Sequence, residues 1–150
     1  SAMENIIVVI DDPEYALKML APMKDQGQPT QWVLLVCPPR LTRHIGRWVN
    51  QASREAWRNK WTQELLQKIK PVLEEAGDRV QWRIAKGPLV EQTRKLQAEF
   101  VTHRVLDARR PKFGEDQAPV TQDQPTERSS RWALPGGAAA MGAALLMAAD

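Results

Sequence analysis

Two adjacent carboxylates, Asp11 and Asp12, close a run of Ile and Val from Ile6 to Ile10, and three cations, Arg109, Arg110 and Lys112, follow a second short apolar run far along the chain. Acids at the start of a helix are caps or ligand contacts, and clustered Arg and Lys hold phosphate by charge. Nucleophilic and metal chemistry have poorer material. Cys37 is followed by Pro38 and Pro39 with no neighbouring histidine, and His44 and His103 stand in unrelated contexts. A nucleophile needs a base beside it, and a zinc site needs about four ligands at short spacing. Cys37 therefore reads as a small apolar residue at a strand end.

The elements that must position these groups alternate. Ile6 to Ile10 is continuous, apolar and β-branched, as a strand buried on both faces would be. Asp12 is placed to cap the next helix, with Pro13 at its first position and Glu14 at the positive end of the dipole. That helix is expected over Pro13 to Asp25, with Pro22 as a point of kinking or shortening. A second strand follows over Gln31 to Cys37, ended by two prolines. A long helical region is expected from Ile45 to Ala76, carrying an apolar stripe that includes Trp48, Ala52, Ala56, Trp57, Trp61, Leu65, Ile69 and Leu73, with Pro71 bending or splitting it. Then come an alternating strand over Arg79 to Ala85, a turn at Gly87 and Pro88, a helix over Leu89 to Phe100 and a strand over Val101 to Leu106. The order β-α-β-α-β-α-β predicts an α/β fold: an open, mostly parallel, Rossmann-like sheet flanked by helices. In such a sheet ligands sit outside the carboxyl ends of the strands, which is where Asp11 and Asp12 stand.

Residues 3–111 are expected to form this domain, 112–131 a flexible polar linker and 132–150 an apolar, Ala-rich tail that favours a short helix. The chain has 150 residues, 43% of them hydrophobic, enough for one ordinary core. Ser1 and Ala2 before Met3 read as tag remnants, and the early apolar run is too short for a secretory leader. With a single cysteine, that points to a cytoplasmic setting. Ala138 to Ala149 is well short of a bilayer span, so no membrane span is expected. The net charge of +3 conceals a basic middle, with eight Lys and Arg against two Glu between Arg40 and Lys70. No nucleic-acid reader motif accompanies it, so nucleic acid is not the expected partner.

The order of elements and several local patterns together resemble the universal stress protein family. The segment VVIDDPEYAL is similar to that family's V-x-x-D-x-S strand and following helix, VLLVCPP to its second strand and Pro-rich exit, and RIAKGPLVEQTRKL to its third strand ending in Gly before a helix. The resemblance runs from Glu4 to Pro111. It implies a nucleotide or anion site for ATP or AMP drawn from Asp11, Asp12, Cys37, Gly87, Arg109, Arg110 and Lys112, and a homodimer. The family's loop after the fourth strand reads G-x-x-G followed by G-S or G-T. Here ARRPKFGEDQAPVTQD puts Arg109 near the first glycine and Lys112 near the second, with no G-S or G-T after them. Glycines there let backbone N–H groups approach phosphate, so the loop is degenerate and no cofactor is expected.

A receiver domain is the other α/β fold that opens on an acidic pair, but it needs an aspartate at the third strand's end, where Ala85, Lys86 and Gly87 stand. The expectation is a non-enzymatic protein acting through dimerisation or a partner, the apolar tail being one docking element. A sensor of nucleotides or phosphometabolites using Arg109, Arg110 and Lys112 is the alternative.

Overall fold

In the computed structural model, residues 3–23, 29–40, 49–75, 77–112 and 117–122 are described. They form β1 (Glu4–Ile10), α1 (Pro13–Leu20), β2 (Thr30–Val36), α2 (Gln51–Glu74), β3 (Arg79–Ile84), α3 (Leu89–Glu99) and β4 (Val105–Asp107). All pairings are parallel and the sheet order is β3-β2-β1-β4. The fold is the expected α/β class, an open Rossmann-like sheet. From β1 the chain steps outward through β2 to β3, then returns to the far side of β1 as β4. The switch point therefore lies where β1 and β4 end.

The continuous apolar runs are explained by cover on both faces. Ile6, Val8 and Ile10 with Trp32, Leu34 and Val36 meet Ala16 and Leu20 of α1 and Leu65, Leu66, Ile69 and Leu73 of α2. Ile7, Val9, Val33 and Leu35 meet Leu96 of α3 and Val120 on the other face. Strand β3 alternates between exposed and half-buried because it is an edge.

The largest departures from the expected boundaries are at three elements, α1, α2 and β4. Helix α1 stops at Leu20 and passes into a 3-10 turn over Ala21–Met23, which contains Pro22. Helix α2 begins after Asn50, whose side chain accepts from the Ser53 N–H at 2.8 Å, and continues through Pro71 to Glu74. Residues 51–56 are exposed, so Ala52 and Ala56 belong to no buried stripe, and packing against the core begins at Trp61, with Trp57 half-buried one turn before it. Trp48 and His44 lie outside the described residues. Val101 opens no strand: it sits at φ 48°, 87% exposed, ending α3. The Thr102 N–H reaches back to Gln97 O at 3.0 Å, a Schellman-type closure that normally favours glycine at the position Val101 holds.

Residues 117–122 lie within the segment expected as a linker, yet Val120 is 1% exposed against the α3 face of the core. The tail over 132–150 lies outside the described residues.

Candidate functional site

At the carboxyl end of the sheet, the strand exits bring Asp11, Cys37, Asp107 and Arg109 together. The ladders run one residue past the strands: the Cys37 N–H donates to Ile10 O and the Ala108 N–H to Val9 O, each at 2.8 Å. This holds the three exits side by side and leaves little freedom in how their side chains meet.

Asp12 takes its expected role as the cap of α1, accepting from the Tyr15 N–H at 2.9 Å. Asp11 points instead across to β4, where its Oδ1 accepts from the Arg110 N–H at 2.8 Å. Burial pushes the Asp11 carboxyl above its ordinary range, and Asp107 adds to this; the Arg110 N–H and the charges of Arg109 and Lys112 oppose it. Burial likewise raises the Tyr15 phenol, with Asp107 and Asp11 adding to it.

Arg109 is not a free cation. Its Nε and Nη2 donate to Asp107 Oδ1 and Oδ2, both at 2.9 Å, and Nη2 also donates to Ala118 O. This is a bidentate fork, with the two side chains 7% and 11% exposed. It ties the exit of β4 to residues 117–122, and the Gln117 side chain repeats the tie by donating to Arg110 O at 3.1 Å. Arg110 presents a guanidinium that is 66% exposed, 3.6 Å from Asp12. Lys112 is exposed, and its charge reaches Asp11.

Burial pushes the Cys37 thiol up to about 12, Asp11 and Asp107 contributing against Arg109 and Arg58. A thiol held that high stays neutral and is a poor nucleophile. Gly87 is not part of this cluster. It lies past β3, two strands from β1, at φ 91° where a side chain would be strained, and the Gln92 side chain bonds the Lys86 N–H and Gly87 O around it. Among the described residues no group of three His, Cys, Asp or Glu is arranged to hold a metal ion.

Sequence reasoning passed over Asp107, Tyr15 and Arg58. Asp107 had a signal: residues two apart in a strand share a side, so Asp107 and Arg109 of LDAR fall together. Arg58 had none, because its reach from α2 to Ala85 O, at 2.6 Å, depends on how the helix lies over the strand ends.

No helix among the described residues is long and apolar enough to cross a membrane. No family model, curated protein or solved structure matches this chain.

Proposed function

We propose a non-enzymatic protein of the universal stress type that acts through association, with a second copy or with a partner protein, and that has no working ATP grip. The observation that carries this is the buried Arg109–Asp107 fork, closed by Ala118 O, at the place where a phosphate-holding loop would need open backbone N–H groups. The Arg110 N–H, a backbone donor of the kind an anion uses, is already taken by Asp11. With the Arg109 guanidinium and the Arg110 N–H held by carboxylates, both donors are engaged within the protein, and Cys37, held neutral, is a poor nucleophile.

Titration calorimetry with ATP and AMP, paired with light scattering over a concentration series, tests the reading. The expected result is no micromolar nucleotide binding and a mass that rises with concentration or with added partner. Micromolar ATP binding abolished by Asp12→Ala overturns it.

One observation favours the second reading, a sensor of phosphorylated metabolites: the exposed Arg110 guanidinium with Lys112 nearby in the chain. Arg109 drops out of that reading because it is engaged. Changing Arg110 and Lys112 to Ala should then abolish any anion binding, and unchanged affinity removes it.

A further inference from the structure

Strand β3 ends the sheet, and among the described residues no strand pairs with its outer side. In a parallel ladder the backbone groups of alternate residues turn to the same neighbour. The Ala85 N–H donates to Val36 O at 2.8 Å, so Arg79, Gln81 and Arg83 address β2, and the backbone groups of Val80, Trp82 and Ile84 turn outward. One outward carbonyl is covered from within the chain. Arg83 folds over the edge, its Nη1 donating to Trp82 O at 2.8 Å and its Nη2 to Glu99 at 2.7 Å, with the guanidinium 5.6 Å from the Phe100 ring centre.

Beside the edge, between β3 and α3, runs an open groove of about 580 Å³. Leu35 and Leu96 give it apolar lining, and Arg83, Lys86 and Lys95 face a single acid, Glu99. Lys86, Lys95 and Arg79 are exposed and carry no ion pair among the described residues.

We propose that the β3 edge and this groove are the docking surface for an extended acidic segment of a partner protein, which joins the sheet as a further strand. The inference rests on the association reading above and names the partner's chemistry. Main-chain bonds to Val80, Trp82 and Ile84 supply affinity, and alternate guest side chains meet the groove. A guest N–H replaces Arg83 at Trp82 O, and a guest carboxylate takes the freed guanidinium from Glu99. Charge argues against a second copy as the occupant: β3 carries Arg79 and Arg83 and no acid, so a paired β3 brings no carboxylate to these cations, and a register centred on Gln81 sets Arg79 of each strand directly opposite Arg83 of the other.

The test titrates two synthetic peptides of eight residues into the full chain, one alternating Val and Glu and one alternating Val and Lys, and follows backbone amides by NMR. The acidic peptide is expected to shift the amides of Val80, Trp82 and Ile84 and slow their hydrogen exchange, with the basic peptide at least about tenfold weaker. Lys86→Glu combined with Lys95→Glu should weaken the acidic peptide about tenfold, and Glu99→Gln should tighten it about two- to fivefold by releasing Arg83. No response at millimolar acidic peptide, an equal response to the basic one, or displacement by a single-stranded oligonucleotide overturns the proposal. Concentration-dependent shifts of the same three amides without peptide make the occupant a second copy; that overturns this inference and leaves association standing. Micromolar ATP binding overturns the association reading instead, and does so without moving these amides.

Discussion

The two ends of the parallel sheet are both closed by side chains, in opposite ways. At the amino end, the buried polar groups bond to backbone or neutral partners, and the charged pair there, Arg104 with Glu4 at 2.7 Å, stands half-exposed at the rim. Asp78, 7% exposed, accepts from the Thr30 N–H and from Trp32 Nε1, both at 2.9 Å. Asn5 donates to Phe100 O at 2.7 Å and accepts from Gln31 at 3.1 Å, while the Thr102 hydroxyl donates to Asn5 O at 2.7 Å. At the carboxyl end, Asp11, Asp12 and Asp107 are packed among Arg109, Arg110 and Lys112, and Asp11 is held in a setting that disfavours its charge. The amino end is built for stability. The carboxyl end keeps charges where desolvation is costly and offsets that with pairing.

The contrast breaks most visibly at Arg109. Arg109→Ala strips the buried fork from Asp107 and should lower stability by about 3 kcal/mol in urea unfolding, whereas replacing both residues with apolar ones of similar size should recover most of the loss. If the single change costs nothing, the fork is not what closes this end. Asp78→Ala tests the amino end in the same way. It leaves the Trp32 indole N–H and the Thr30 N–H without that acceptor in the interior, and should lower stability by about 2 kcal/mol.

A smaller effect of opposite sign is expected at Val101. It holds φ 48° at 87% exposure, so little in the described structure repays the strain, and Val101→Gly should raise stability by about 1 kcal/mol. A loss instead would mean that the exposed side chain has a contact of its own.

The smallest effect sharpens the electrostatic side of the comparison. A carboxyl raised in the folded state contributes stability at low pH that is lost as pH rises through its folded value. Asp11→Asn keeps an acceptor for the Arg110 N–H and removes that penalty. The variant should therefore gain stability over the parent near neutral pH, with the gain shrinking as the pH falls towards the ordinary aspartate value of 3.8. Denaturation midpoints across that range check it, and a gain that grows on acidification reverses the assignment.

Much of this was legible from residue order. The runs IIVVI and WVLLV named the two inner strands because strands covered on both faces have no polar side to show. Asp12 and Pro13 named the start of α1, since caps act on their own helix. Val101 to Arg104 misled because a β-branched residue beside an apolar run looks like strand, while the helix closure through Thr102 and Gln97 overrode that preference. The cations after β4 read as one free cluster, but charge along a chain does not reveal which member is already paired.

Sequence by itself determined the α/β class, the alternation of elements and the placing of Asp11 and Asp12 at a strand exit, because periodicity and caps are local properties. Only the tertiary structure decided that Arg109 is bound to Asp107 and Ala118, that Asp11 is turned to Arg110, and that Cys37 lies neutral among them. Those are outcomes of burial and of neighbours brought from distant positions, and both exist only once the sheet has formed.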